Sequence, residues 1–181
     1  PEQRKVYFLL NKPKNVITTT NDEKGRRHVM DIMGNVCEER IYPVGRLDRD
    51  TTGLLLFTND GDLAKKLSHP SYEIKKIYHV TLDKPIAPED LDKIRAGLIL
   101  EDGETPVDKV VYDEGDSSKK QVVITVHIGR NRIVRRIFAH LDYTVVKLDR
   151  IYYGGLTKKN IGKGFHRPLK KQEVIMLKHF V

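Results

Sequence analysis

Gly45-Arg46-Leu47-Asp48-Arg49-Asp50-Thr51-Thr52-Gly53-Leu54-Leu55-Leu56-Phe57 is the stretch on which the fold reading turns. Its end, Leu54 to Phe57, is purely apolar, short, and bounded by Gly53 and Asn59. A run of that length between turn residues reads as a buried strand. The part before it, Arg46 to Gly53, is polar and reads as a loop delivered by that strand. The loop also resembles the start of a calcium-binding EF-hand, but its twelfth position is Asn59 instead of the required glutamate, and Leu54–Phe57 fill the intervening ligand positions. Calcium is therefore rejected.

Outward from this centre, strands and helices alternate without regular spacing. Lys5–Leu10 reads as a strand closed by Pro13, and Val16–Thr20 as a second β-branched run. His28–Met33 and Leu63–Leu67 read as short helices, the second stopped by Pro70. Lys75–Leu82 alternates, placing Lys76, Tyr78, Val80 and Leu82 on one face. Ala87–Ala96 is a helix with Pro88 in its first turn. Leu98–Leu100 and Val107–Tyr112 flank a turn at Gly103, and Gln121–Ile128 is a strand. Asn131–Leu141 is an amphipathic helix with Ile133, Val134, Ile137, Phe138 and Leu141 on its apolar stripe. Thr144–Leu148 and Ile151–Tyr153 are β-like, Gly162–Pro168 is a loop, and Lys170–Lys178 is a closing helix. The class is α+β, with a mixed, mostly antiparallel sheet and flanking helices.

Composition narrows the function. The chain has 181 residues, 33 Lys+Arg against 25 Asp+Glu, and a net charge of +8. Residues 1–82 hold 14 basic and 11 acidic residues, residues 83–118 hold 4 and 11, and residues 119–181 hold 15 and 3. Such sign separation suits a polyanion partner gripped by the basic part. A merely basic surface is the plainer reading. No apolar run approaches the roughly 20 residues of a membrane span. The lone Cys37 excludes an intrachain disulfide and a cysteine-rich zinc site. No P-loop, GxGxxG, CxxC or HExxH motif occurs, so neither a metal nor a nucleotide cofactor is expected. A cytoplasmic monomer is the expectation.

Asp48 then stands out as a carboxylate in a glycine-bounded loop at the edge of a core strand, although capping its own turn would also explain it. Residues 45–55 resemble the signature of the ribosomal-RNA pseudouridine synthases, in the RsuA/RluB branch. Three further blocks agree in order: Asn11-Lys12-Pro13-Lys14, Lys76-Ile77-Tyr78-His79-Val80, and Gly129-Arg130-Asn131-Arg132-Ile133-Val134-Arg135-Arg136. Tyr152–Gly155 and Gly164–Glu173 resemble the closing segments. Members of this branch usually begin with a small S4-type RNA-binding domain. The resemblance therefore implies that residues 1–181 are the catalytic domain alone, with the unusual start at Pro1 marking a missing front module.

The resemblance implies the pseudouridine synthase fold, with two subdomains around a central RNA-binding cleft. It implies an isomerase acting on a specific uridine of ribosomal RNA, with large-subunit 23S RNA as the favoured target. Asp48 matches the catalytic aspartate. Arg135 matches the basic partner that would pair with it, and Tyr78 matches the active-site tyrosine, which would stack on a flipped uracil or help remove the C5 proton. Arg46 matches the loop arginine that enters the space left by the flipped nucleotide. Lys12, Lys14, Arg130, Asn131 and Arg132 are expected to contact RNA. For Arg136 a solvated helix face is an equal alternative, and for Tyr78 an ordinary core position. Three other functions stay open: a non-catalytic RNA-binding or ribosome-assembly protein, a synthase acting on tRNA, and one acting on small-subunit rRNA.

Overall fold

The computed structural model describes residues 3–181, so the expectation attached to Pro1 lies outside the described residues. The described residues form two compact units, one of residues 3–74 and 152–181 and the other of residues 75–151. In chain order the first unit contributes β1 (Tyr7–Lys12), α1 (Val29–Met33), β2 (Tyr42–Pro43), β3 (Thr51–Thr58) and α2 (Gly61–Ser68). The second contributes β4 (Lys76–Leu82), α3 (Pro88–Ala96), β5 (Leu98–Leu100), β6 (Gly103–Thr105), β7 (Lys109–Tyr112), β8 (Gln121–Val126) and α4 (Ile133–His140). Strand β9 (Val145–Tyr153) runs from the second unit into the first, which closes with β10 (Leu156–Thr157), β11 (His166–Pro168) and α5 (Lys171–His179).

The first unit is organised by β3. It pairs antiparallel with β1, Leu10 opposite Leu55 and Lys12 opposite Gly53, and β1 pairs antiparallel with β11. Leu54 and Leu56 face a cluster made by Leu9, Val44, Leu63, Leu67, Tyr153, Leu156, Ile161 and Leu177. Leu55 and Phe57 point the other way, into Val6, Leu10, Val16, Val29, Met33, Ile41 and Leu47. The unbroken apolar run is thus the signature of a strand with core on both faces. At its far end Asp60 caps α2 by accepting from the Leu63 amide at 3.1 Å.

The second unit is one-sided. Strands β4, β8 and β7 form an antiparallel ladder with Tyr78 opposite Ile124, and β9 lies beside β4. Val80, Leu82, Val122, Ile124 and Val126 line one face and pack against Leu91 and Ile94 of α3 and Ile133, Val134, Ile137 and Phe138 of α4. The opposite face carries polar pairs, Thr81 with Gln121 at 2.7 Å and His79 with Asp113 at 3.0 Å.

Four local expectations change. Val16–Thr20 is not a strand; it makes a single bridge, Ile17 to His28, because its polar groups are engaged elsewhere. Gly103 does not divide Leu98–Leu100 from Val107–Tyr112; it opens β6, which forms a separate hairpin with β5. Thr144–Leu148 and Ile151–Tyr153 are parts of one strand, β9, which passes through Asp149 and a buried Arg150. The expected loop Gly162–Pro168 contains β11, held to β1 by Leu10–His166 pairing and by an edge-to-face contact between Phe8 and His166.

Candidate active site

Asp48 sits on a loop that is clamped on both sides. Leu47, immediately before it, buries its side chain in the first-unit core. The Thr18 hydroxyl donates to the Leu47 carbonyl at 2.7 Å and accepts from the Leu47 amide at 3.2 Å. The Asn15 amide donates to the Arg49 carbonyl at 2.8 Å, and the Thr51 amide closes a turn on the Asp48 carbonyl at 3.0 Å. Gly45 enters this loop at φ +72°, a conformation that a residue with a Cβ adopts only with strain. The Asp48 carboxylate is half-buried, while Arg46 and Arg49 are exposed. The backbone that carries Asp48 is thus fixed from both sides.

Lys12 lies inside the same loop system and is fully buried. Its ammonium donates to the Val16 carbonyl at 2.7 Å and to the Pro13 carbonyl at 3.0 Å. Burial pushes its pKa down to about 8, opposed by the nearby carboxylates of Asp50 and Asp48. Lys12 is therefore an internal post under the Asp48 loop; its burial takes the ammonium away from the surface position expected for a phosphate contact. The sequence could not show this, because a lysine in a basic motif has the same spelling whether it points in or out. Lys14 is exposed.

In the second unit Leu82, Val80, Tyr78 and Lys76 share the core face of β4 in that order. The row climbs out of the core, from a fully buried Val80 to a half-buried Tyr78 and Lys76. Tyr78 is thus half-buried and packs against the second-unit core where the row leaves it. The Lys76 ammonium lies close to the Gly129 α-carbon, where a Cβ would stand 3.5 Å away. Its pKa falls to about 8, first through burial and then through Arg150. Sequence alone gives Thr18 no part in the Asp48 loop and places Lys76 only within a motif block. For Lys76 the available signal was its place one alternation from Tyr78.

Helix α4 buries its apolar stripe and leaves its arginines for polar work. Arg135 is half-buried and donates from Nη1 to the Val145 carbonyl at 3.2 Å. Arg136 forms a two-pronged pair with Asp102, both contacts 2.9 Å, and donates from Nε to the Asn131 carbonyl at 2.8 Å. That pair holds the Asp102 carboxyl below the usual carboxylate range. Arg136 is therefore a bracing residue between α4 and the residues of the β5–β6 turn. Arg130 donates to the Glu104 carbonyl at 2.8 Å, which fixes the loop ahead of α4. Asn131 and Arg132 are exposed, and Arg132 starts the helix from a left-handed φ of +49°. Among the described residues no group of three or more His, Cys, Asp or Glu could hold a metal ion, and no helix is long and apolar enough to cross a membrane.

The profile of the RNA pseudouridylate synthase family matches residues 6–140, which include the Asp48 loop, β4 and all of α4. The chain belongs to that family. A Bacillus subtilis protein named ribosomal large subunit pseudouridine synthase B is 46% identical over 176 residues, covering 96% of this chain and 71% of that protein. A Vibrio vulnificus protein of the same name is 35% identical, covering 94% of this chain and 53% of its own. Among solved structures, one described as a pseudouridylate synthase superposes with a TM-score of 0.85 at 29% identity, covering 97% of this chain and 75% of that one. The archaeal box H/ACA Nop10-Cbf5 complex gives a TM-score of 0.59 at 17% identity, a likeness of fold alone.

Proposed function

We propose that this protein isomerises a uridine of large-subunit ribosomal RNA to pseudouridine, with Asp48 as the nucleophile. The observation that carries the reading is the clamped Asp48 loop, standing in a chain similar to proteins named for that substrate. Pseudouridine formation breaks the N1–C1′ bond, forms a C5–C1′ bond, releases the C5 proton and returns a proton to N1. The ring keeps its electron count, so no external oxidant or reductant enters. A carboxylate that adds to C1′ or to C6 of the base and later departs divides this exchange into easier steps.

The other residues take roles that follow from their surroundings. Tyr78, half-buried at the rim of a core, offers a ring face on which a flipped uracil stacks, for about 1–3 kcal/mol. Arg135 is the basic residue of the catalytic set in this reading. Arg46, exposed on the Asp48 loop, fills the gap left by the flipped nucleotide. Lys14, Asn131 and Arg132 are exposed, which suits backbone contacts that hold RNA in place without reading sequence. Arg130, held through Nη1 by the Glu104 carbonyl, takes its RNA contact through its other N–H donors. The enzyme works as a monomer in the cytoplasm.

The test uses transcripts of large-subunit rRNA, small-subunit rRNA and tRNA with the purified protein. Pseudouridine at one position of the large-subunit RNA alone is the expected result. Product only in one of the other two RNAs would reassign the target, and tight binding with no product in any would favour a binding protein.

A further inference from the structure

The segment Leu156–Gln172 contains six Lys and Arg and not one Asp or Glu. Within it Phe165 is 69% exposed, and it is the only phenylalanine among the described residues exposed to that degree. Its backbone is not loose. The Phe165 carbonyl accepts from the Asn11 amide at 3.0 Å, the Gly164 amide donates to the Asn11 carbonyl at 2.8 Å, and the Phe165 amide donates to Gly162 at 3.0 Å. The Asn11 side chain adds a bond to the Ile161 carbonyl at 2.9 Å. The ring rests against Gly162, where a Cβ would stand 3.3 Å from Cδ2.

The register fixes where this ring lies. His166 pairs with Leu10, and Leu10 pairs with Leu55, so Phe165, one residue before β11, stands level with Asn11 and, across β1, with Leu54. The Asn11 end of β1 is where Lys12 meets Gly53 and where the Asp48 loop enters β3. Phe165 and the Asp48 loop therefore lie towards the same end of the ladder β11–β1–β3, whose outer strands are two strand spacings, about 10 Å, apart. Lys159 and Lys163 are exposed in the same loop. Arg167 is taken up by a two-pronged pair with Glu173 that ties β11 to α5.

We propose that Phe165 is a stacking platform for an unpaired base of the RNA substrate, one or two nucleotides from the uridine that meets Asp48. The inference rests on the proposed RNA-modifying function. An aromatic ring gains from stacking on any base, and flanking lysines neutralise the phosphates on either side. A rigid loop lets the ring meet the base without an ordering cost. The uniform positive charge selects a polyanion over a protein partner, whose apolar anchor would want an apolar surround.

The chain has no tryptophan, which makes the test direct. F165W introduces a single indole at this position. Titration with a single-stranded oligouridylate of about 12 nucleotides is expected to quench its emission to a stoichiometric end point. F165A is expected to weaken binding of the same RNA roughly tenfold or more, with I99A, an exposed apolar residue on β5, as a control of unchanged affinity. Unquenched F165W emission together with wild-type affinity for F165A would overturn the proposal. Quenching is read from binding and needs no turnover, so a failure here is distinct from a failure of the isomerase reading.

Discussion

Strands β3 and β8 carry apolar residues in equal earnest, yet they serve different architectures. β3 has core on both faces, with Leu54 and Leu56 in one cluster and Leu55 and Phe57 in another. β8 alternates, with Val122, Ile124 and Val126 inside and Gln121, Val123 and Thr125 on a half-open face. The loop that carries Asp48 is launched from the two-sided strand. Tyr78 belongs to the one-sided sheet, where the same core face that holds Val80 runs out towards solvent. If Asp48 is the nucleophile, it gains from a support that is fixed on every side, and if Tyr78 is the stacking residue, it gains from an open flank; the proposed roles match the two kinds of strand.

The comparison predicts where substitution hurts. Phe57→Ala, in the two-sided strand, is expected to lower the unfolding free energy by about 3–5 kcal/mol. Chemical denaturation would read this, and a loss below 1 kcal/mol would show that β3 is not the fixed member of the pair.

The next effect is a pH dependence tied to Lys12. Its folded pKa, about 8, lies below its unfolded value, so between pH 8 and about 10.4 the unfolded chain holds the extra proton. Stability contributed through Lys12 must then rise with pH across that window, by about 2–4 kcal/mol, and be flat below it. Lys12→Met should lack this rise. Parallel curves for the two proteins from pH 7 to 10 would place the ammonium outside the core.

Thr18→Val removes both bonds to Leu47 and should cost about 1–3 kcal/mol, with a larger relative fall in kcat than in RNA affinity. Thr18→Ser should restore turnover, because the hydroxyl does the clamping. Equal turnover in Thr18→Val and wild type would mean that the loop holds Asp48 without it. Smallest of all, Val123→Thr on the open face of β8 should change stability by no more than about 0.5 kcal/mol. A cost comparable with Phe57→Ala would erase the distinction between the two strands.

The sequence made β3, α4 and the inward row of β4 legible because each has a periodicity, or a lack of one, that burial alone imposes. It misjudged residues whose environment is set by the path of a loop or by a partner far along the chain. Val16–Thr20 looks like a strand from its β-branching, yet Val16 gives its carbonyl to Lys12 and Thr18 its hydroxyl to Leu47. Lys12 looks like a surface cation, yet its partners are carbonyls of a loop whose path no local pattern records. The pairing of Arg136 with Asp102 spans 34 residues and was equally invisible. Asp48, Tyr78 and Arg135 are singled out by motif resemblance alone, with local chemistry leaving a turn cap or a core tyrosine as good accounts.

The central claim is that the Asp48 carboxylate performs the attack. Large-subunit rRNA transcript labelled with tritium at uridine C5 releases that label only when the C5–H bond is broken. Wild-type protein is expected to release it with turnover, and Asp48→Asn to release none while binding the RNA and melting at the wild-type temperature. Release by Asp48→Asn at the wild-type rate would contradict the account.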